Sequence, residues 1–229
     1  MRHNDITVIL GRKWCGKSTR ARALAMSRPR RIVIDPMFEH EELGAVCRSF
    51  DALVSYLRLM RAGPYGLVFR SLDDYERDMV VNLTTAGSPD VPPLPGVTVL
   101  IDEIDRICSP SSITPGLKRL VNYGRHFGVS LIALARRPRA IHHDLTSQAD
   151  RMIIGQMQEP ADVDYLRKFI GLDLAARVKA LREPDQFVVW PDDLADVPAG
   201  DPPPPPPPGP AQLELDPPGP DPPAGPNAS

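Results

Sequence analysis

Short apolar runs alternate with amphipathic stretches between residues 6 and 191. The apolar runs have the length of strands and hold few internal polar residues, which is typical of strands buried on both faces. The predicted strands are residues 6–10, 30–36, 65–71, 97–105, 129–135, 150–157 and 186–191. The predicted helices are residues 17–27, 50–63, 74–87, 114–126 and 159–171. This alternation predicts an α/β fold, with helices covering both faces of a mostly parallel sheet.

The composition changes at residue 198, and the tail that follows is rich in proline. Proline lacks the amide hydrogen and fixes φ, so the tail can join neither a helix interior nor a central strand. We therefore predict two parts, a folded domain at residues 1–197 and a low-complexity tail at residues 198–229. Two interpretations of the tail stay open: a solvated spacer, or a docking segment in which residues 213–216 (LELD) form a short anchor.

Charge, cysteine content and hydropathy give no indication of a nucleic-acid-binding, disulfide-rich, zinc-binding or membrane-spanning protein. The formal net charge is −2, and the tail holds four acids and no Lys or Arg, so the folded part carries only about +2. Composition alone therefore does not indicate nucleic-acid binding. Three scattered cysteines suggest neither a disulfide framework nor a zinc site. No run approaches the roughly 20 apolar residues of a membrane span, and we expect a soluble, intracellular protein without one.

The strongest chemical signal is GRKWCGKST at residues 11–19, between the first predicted strand and the first predicted helix. Gly11, Gly16, Lys17 and Ser18 fit the P-loop (Walker A) pattern G-x-x-x-x-G-K-[ST] at every fixed position. Successive backbone amides and the helix N-terminus form a cradle for phosphate oxygens. We expect Lys17 to reach the β- and γ-phosphates, Ser18 to bind Mg²⁺ and Thr19 to bind a phosphate. The predicted ATP-binding residues are Gly11, Arg12, Lys13, Trp14, Cys15, Gly16, Lys17, Ser18 and Thr19.

Two further features of the sequence have plain structural interpretations. Cys15 lies near a helix N-terminus and Lys17, an environment that can activate a thiol. A small packed loop residue is the interpretation we favour for it. The basic residues Arg28, Arg30 and Arg31 are interpreted as a solvated turn.

The second half of the predicted site is VTVLIDEID at residues 97–105, a Walker B segment. The apolar run places Asp102 at the carboxyl end of a buried strand, where open α/β sheets bind ligands. We predict that Asp102 holds Mg²⁺ through water or through Ser18. The adjacent Glu103 can orient and deprotonate an attacking water, which indicates hydrolysis rather than transfer to an acceptor.

Several segments together resemble the HerA/FtsK superfamily of ring-shaped DNA-pumping ATPases. They are IVIDP (32–36), VLIDE (99–103), GRHFGVSLIALARRP (124–138) and LTSQADRMIIGQMQEPADVDYL (145–166). Shared features are Asp-Pro after the second strand (Asp35-Pro36), an arginine before the strand that follows the acidic pair (Arg125), and Arg137-Pro138 at that strand's end. The resemblance covers roughly residues 5 to 170. The small size is similar to that of genome-packaging ATPases from tailless, membrane-containing icosahedral viruses.

The resemblance implies a P-loop NTPase of RecA-like fold that works as a homo-oligomeric ring, with a hexamer as the expected form. It implies that Arg125 is an arginine finger acting on a neighbouring subunit; the alternative is a surface arginine at a helix C-terminus. Arg136 occupies the position where the family commonly has a polar sensor, often glutamine. Implied partners are double-stranded viral DNA and capsid vertex or portal proteins, in the host cytoplasm or on the virion. Residues 106–116, Lys118 and Arg119 are the candidate DNA contacts, and a solvent-exposed surface is an equal alternative for them.

Three other functions stay open at the level of sequence. One is a phage assembly or secretion ATPase of the zonula-occludens-toxin kind, which usually carries a membrane-spanning helix after the ATPase domain. Another is a small-molecule kinase, for which Glu103 beside Asp102 would be unneeded. The third is a nucleotide-bound capsid-vertex component without enzymatic activity, whose proline-rich tail docks onto the shell.

Overall fold

The apolar runs form an eight-stranded sheet in the computed structural model, which describes residues 5–60 and 63–191. A separate two-stranded hairpin follows the fifth strand. The strands are β1 (Ile6–Leu10), β2 (Arg30–Ile34), β3 (Ala45–Cys47), β4 (Tyr65–Phe69), β5 (Thr98–Ile101), β6 (Cys108–Ser109), β7 (Ser112–Ile113), β8 (Ser130–Ala135), β9 (Arg151–Ile154) and β10 (Val188–Trp190).

Within residues 5–60 and 63–191, six α-helices connect the strands, and α2 and α3 begin with side-chain caps. The helices are α1 (Lys17–Met26), α2 (Phe50–Leu59), α3 (Asp74–Ala86), α4 (Pro115–Phe127), α5 (His143–Ser147) and α6 (Pro160–Ala180). Short 3₁₀ turns occupy Glu41–Leu43, Ile104–Arg106 and Pro138–Ala140. The Ser49 hydroxyl and the Asp73 carboxylate accept hydrogen bonds from amides in the first turns of α2 and α3, which satisfies donors that a helix start leaves free.

The sheet has the strand order β10-β9-β1-β8-β5-β2-β4-β3, and every neighbouring pair is parallel except β10 with β9. The predicted mostly parallel sheet is therefore confirmed. We call the edge formed by the strand ends at Leu10, Ile34, Phe69, Ile101 and Ala135 the carboxyl edge, and the edge formed by the strand starts at Ile6, Arg30, Thr98 and Ser130 the amino edge. Because β8 lies between β1 and β5, the carboxyl ends of these three strands meet at one place.

Helices bury both faces of the sheet, as the alternating pattern predicts. On one face, α1 packs Ala21, Leu24 and Ala25 against strand residues, and Leu43 of the first 3₁₀ turn belongs to the same cluster. On the other face, apolar residues of α2, α3, α4 and α6 form the larger core cluster. The sheet is therefore held rigidly from both sides, which fixes the loops at its carboxyl edge.

The structure adds elements that the hydrophobic pattern does not predict. The strand β3 has three residues and the strands of the hairpin have two each, too short to show a period. The sequence predicts a helix at residues 159–171 that ends at Gly171. Gly171 indeed leaves helical geometry, with φ of 82°, but a second helical stretch continues to Ala180. The predicted strand at 97–105 ends at Ile101, because the chain then turns into the 3₁₀ segment.

The structure contradicts the prediction of a solvated turn at Arg28, Arg30 and Arg31. Arg28 is buried and pairs with Asp5 at 3.0 Å. Arg31 is buried because it lies in β2, between β4 and β5, and its guanidinium donates to the carbonyl oxygens of Leu43 and Arg28. Burial lowers the pKa of Arg31.

The predicted tail at 198–229 lies outside the described residues. None of the helices in the described part of the chain has the length and apolar character needed to cross a lipid bilayer.

Candidate active site

The P-loop occupies the turn from β1 into α1, at the carboxyl edge. Its backbone is pinned by the two strands beside β1: the Gly11 amide donates to the Ala135 carbonyl at 3.3 Å, and the Arg12 amide donates to the Gln156 carbonyl at 2.7 Å. Gly11 and Gly16 have φ of 149° and 87°, in the region that favours glycine. A Cβ at Gly11 would lie 2.7 Å from the Cys15 sulfur, so any larger residue at this position would clash with Cys15.

The two unusual residues of the loop face opposite ways. Cys15 is buried, as expected for a packed loop residue. Trp14 is 82% exposed and adopts φ of 67°, a left-handed conformation that is rare for a bulky side chain. The Lys13 ammonium lies 5.0 Å from the centroid of the Trp14 ring. The loop thus presents an aromatic surface to solvent at the mouth of the site.

Lys17 points into a cavity of about 430 Å³ at the carboxyl edge. The cavity is lined by Lys13, Trp14, Gly16, Lys17, Ser18, Thr19, Arg22, Met37, Glu39, Asp102, Glu103, Leu134, Ala135, Arg136 and Asp185. The Lys17 ammonium donates to the Arg12 carbonyl at 2.8 Å. Burial lowers the pKa of Lys17, although Cys15, Asp102 and Glu103 oppose that shift. A half-buried cation of this kind gains from an anionic ligand.

Asp102 stands at the end of β5, with its side chain 9% exposed. Its Oδ1 accepts the Glu103 amide at 2.8 Å, and its Oδ2 lies 2.9 Å from Nε2 of His40. An ionised carboxylate only accepts, so Nε2 of His40 carries the hydrogen and donates. Both carboxylate oxygens are therefore held by donors.

Glu103 lies beside Asp102 and is held by two arginines. Its Oε1 pairs with Arg136, at the end of β8, and its Oε2 accepts from Nε of Arg106 at 2.7 Å. The hydrogen bond to Glu103 raises the pKa of Arg106. Glu103 itself has φ of 48°, a left-handed conformation. Its carboxylate is thus fixed in direction at the cavity wall.

The Asp-Pro turn after β2 places His40 next to Asp102. Asp35 is fully buried, and its carboxylate accepts the amides of Glu39 at 2.9 Å and His40 at 3.1 Å. It also pairs with Nε of Arg70, at the end of β4, at 3.1 Å. Asp35-Pro36 is one of the features shared with the HerA/FtsK superfamily. No signal in a single sequence identifies His40, which is one polar residue in a loop.

Asp185 is a second site residue that the sequence does not reveal. It lies in the loop before β10, with φ of 62°, and its amide donates to the Cys15 carbonyl at 3.3 Å. A Cβ placed on Gly16 would lie 1.9 Å from Oδ1 of Asp185, so this carboxylate rests directly against the P-loop. Its position 170 residues along the chain from the loop explains why local pattern cannot find it.

The structure brings most of the predicted catalytic residues together, but not Arg125. Lys17, Glu103 and Arg136 line one cavity, whereas Arg125 lies at the C-terminal end of α4, at the amino edge. There it pairs with Asp150, whose other oxygen accepts the Ile6 amide at 2.9 Å. Arg125 therefore faces away from the cavity of its own chain.

The predicted DNA-contacting segment, residues 106–116, runs from the 3₁₀ turn after the acidic pair, through the β6–β7 hairpin, to the first residues of α4. Arg106 at its start is engaged with Glu103. Arg119 places its guanidinium 5.0 Å from the centroid of the Phe127 ring. Two of the basic side chains in this group thus have contacts within the chain, and DNA contact by this group, Lys118 included, stays a prediction.

No protein-family model matches the chain. The chain has the fold of the genome packaging NTPase B204 from Sulfolobus turreted icosahedral virus 2, solved in complex with AMPPCP: the TM-score is 0.67 at 23% identity, over 82% of this chain and 92% of that chain. B204 of Sulfolobus turreted icosahedral virus, described as a DNA-packaging ATPase, superimposes with a TM-score of 0.63 at 21% identity, over 83% and 93% of the two chains.

A curated relative matches a shorter segment. The DNA double-strand break repair helicase HerA of Sulfurisphaera tokodaii is 37% identical over 73 residues, which are 31% of this chain and 15% of HerA. The match therefore spans a small part of that protein's length. The solved structures confirm the predicted P-loop fold, and the HerA segment supports the predicted resemblance to the HerA/FtsK superfamily.

Proposed function

We propose that this protein is an ATPase motor that hydrolyses ATP at the carboxyl edge of its sheet and uses the energy to move double-stranded DNA into a viral capsid. The observation that carries the proposal is the shared cavity of Lys17, Asp102 and Glu103, which unites a phosphate-binding loop with a carboxylate able to activate water. The fold likeness to B204, a packaging NTPase, supports the choice of motor.

ATP binding follows from the loop geometry and the charges around it. Amides of the P-loop and of the first turn of α1 would donate to the phosphate oxygens, and Lys17 would move from the Arg12 carbonyl to the γ-phosphate. Ser18 and Asp102 supply hydroxyl and carboxylate oxygens, the hard donors that Mg²⁺ prefers, so the residues fit this metal. Held by Ser18 and Asp102, Mg²⁺ would supply positive charge to offset the charge that develops on the β- and γ-phosphates.

Glu103 would act as the general base. A water between Glu103 and the γ-phosphate loses its proton to the Glu103 carboxylate as its oxygen attacks phosphorus. The bond to the bridging oxygen breaks, and the electron pair leaves with ADP. Arg136 pairs with Glu103 and directly follows β8, the strand between β1 and β5, so a γ-phosphate would compete with Glu103 for its guanidinium. This competition would couple the orientation of the base to the presence of ATP.

Arg125 would complete the site of a neighbouring subunit. Its place at the amino edge excludes a role in its own cavity, and an arginine finger given in trans requires that the amino edge of one chain face the carboxyl edge of the next. We therefore propose a ring of identical chains, with a hexamer as the expected form. Double-stranded viral DNA would pass through the ring, which would dock on capsid vertex or portal proteins in the host cytoplasm or on the virion.

The test is a measurement of phosphate release by the purified full chain with ATP, with and without Mg²⁺ and with and without duplex DNA. We expect Mg²⁺-dependent release of inorganic phosphate that duplex DNA stimulates. Transfer of phosphate to a nucleoside or sugar acceptor without free phosphate would overturn the proposal and support a kinase. Nucleotide binding without any turnover, even with DNA and Mg²⁺, would support the non-enzymatic alternative.

A further inference from the structure

We propose that His40 is a positioning residue of the ATPase site, whose imidazole fixes the Asp102 carboxylate in the orientation that receives Mg²⁺. The proposal rests on the proposed function, because it concerns the metal that ATP brings to this site. It assigns a role to a side chain that touches neither the phosphates nor the attacking water.

The contact between the two side chains is short and buried. His40 is fully buried, and its Nε2 donates to Oδ2 of Asp102 at 2.9 Å. The other oxygen of Asp102 accepts the Glu103 amide at 2.8 Å. The carboxylate is held on both oxygens, so its plane is fixed, while each oxygen keeps a second lone pair for another partner.

The other ring nitrogen of His40 indicates that this histidine does not stabilise the core by packing. Among the described residues, Nδ1 of His40 has no hydrogen-bond partner, although it is buried. An unsatisfied buried polar atom destabilises the fold, and an apolar side chain of similar volume would avoid that cost. The stabilising contact that a Leu or Met could not replace is the hydrogen bond to Asp102.

A buried network holds His40 in place. Asp35 accepts the His40 amide at 3.1 Å and pairs with Arg70 at 3.1 Å. The Arg70 guanidinium also lies 5.2 Å from the centroid of the Phe38 ring, and Phe38 adopts φ of 59°. Polar groups at the ends of β2, β4 and β5 are thus joined into one chain of contacts that terminates on Asp102. A left-handed phenylalanine persists only where surrounding contacts determine it.

The network makes a specific prediction about the metal. Without the His40 donor, the Asp102 carboxylate can rotate away from the Glu103 amide, and the oxygen facing the cavity loses its fixed direction. Loss of a hydrogen bond that orients a metal ligand typically lowers metal affinity by about 10- to 100-fold. The phosphate cradle is built from other residues, so metal-free ATP binding should be unaffected.

Three substitutions separate positioning from packing. His40→Met introduces an apolar side chain of similar length and removes the Nε2 donor. His40→Gln places an amide N–H near the position of Nε2, whereas His40→Asn places one near Nδ1, too far from Asp102. The control is Leu43→Ala, which removes a fully buried side chain from the same turn without touching Asp102.

The measurement is the affinity of the chain with bound AMPPCP for Mn²⁺, a spectroscopic substitute for Mg²⁺, by electron paramagnetic resonance titration. AMPPCP binding in EDTA and the melting temperature are recorded for each variant. We expect His40→Met and His40→Asn to weaken Mn²⁺ binding by about 10- to 100-fold, and His40→Gln to restore most of it. Leu43→Ala should lower the melting temperature without changing Mn²⁺ affinity.

Equal Mn²⁺ affinity in wild type and His40→Met would overturn the inference. If His40→Met does not fold, the Gln and Asn variants decide: equal affinities for these two would overturn it as well. Failure of the proposed function looks different, because wild type would then release no phosphate in the ATPase assay. The Mn²⁺ titration needs no turnover, so it still tests His40 in that case.

Discussion

The two edges of the same sheet differ in how their backbone is held. Four non-glycine residues have positive φ among the residues described, namely Trp14, Phe38, Glu103 and Asp185. All four lie at the carboxyl edge: three line the cavity, and Phe38 stands between Met37 and Glu39, which also line it. Such conformations cost roughly 1–3 kcal/mol each and cluster at functional sites.

The amino edge is held by ordinary contacts. Arg28 pairs with Asp5, and Arg125 pairs with Asp150, whose second oxygen caps the first amide of β1. No non-glycine residue with positive φ lies there, within residues 5–60 and 63–191. The contrast teaches that strain is concentrated where the chemistry is proposed, while the opposite edge is relaxed and suited to contact with a neighbour.

The largest expected effect tests whether the relaxed edge takes part in the reaction. Arg125→Ala should lower DNA-stimulated ATP hydrolysis by about 10³- to 10⁵-fold, the contribution measured for arginine fingers, without changing ATP binding. Mixing Arg125→Ala chains with Glu103→Gln chains should restore activity, because each supplies what the other lacks. Arg28→Ala, at the same edge, serves as the control and should lose stability but not turnover. Failure of the mixture to recover activity would contradict action in trans.

The second-largest expected effect is a loss of hydrolysis on substitution of Glu103, at the carboxyl edge. Glu103→Gln should lower hydrolysis by about 10²- to 10⁴-fold, because the amide cannot accept the proton of water. ATP binding, followed with a fluorescent analogue, should stay within a factor of three of wild type. Glu159→Gln removes an acid that pairs with Arg137 outside the cavity and is the control. If both variants hydrolysed ATP equally well, Glu103 would not be the base.

Lys17→Met should separate stability from function. Burial lowers the pKa of Lys17 below 10.5, so at neutral pH the ionised form of Lys17 destabilises the fold. That cost begins to fall as pH rises through the lowered pKa and is gone only above 10.5. The variant should therefore melt at the same or a slightly higher temperature, while hydrolysis falls by about 10²- to 10³-fold, the typical loss of one transition-state donor. Lys179→Met, which removes an exposed lysine, is the control. A lower melting temperature specific to Lys17→Met would contradict this description of its burial.

The smallest effect concerns the acid that rests against the P-loop. Asp185→Asn removes a charge beside the phosphate cradle, and asparagine tolerates the same left-handed backbone. One unit charge at about 4 Å in water contributes about 1 kcal/mol, so ATP should bind about fivefold more tightly. Calorimetry measures this change, with the exposed Asp173→Asn as a control. Weaker binding would instead indicate that Asp185 contacts the nucleotide, for example at a ribose hydroxyl.

The fold was predictable because the strands of a doubly covered sheet are continuous apolar runs, as ITVIL of β1 shows. The P-loop and the acidic pair were also predictable, because each lies within one short segment. His40 and Asp185 were not, because each depends on contacts between distant parts of the chain. The pairing of Arg136 with Glu103 requires the strand order, in which β8 lies beside β5, and a single sequence does not state that order.

The most direct test of the central claim is an experimental structure of the chain with AMPPCP and Mg²⁺. We expect a γ-phosphate within hydrogen-bond distance of the Lys17 ammonium, and a metal ion at the Ser18 hydroxyl on the side of Asp102. A nucleotide bound elsewhere, with Lys17 still donating to the Arg12 carbonyl, would contradict it.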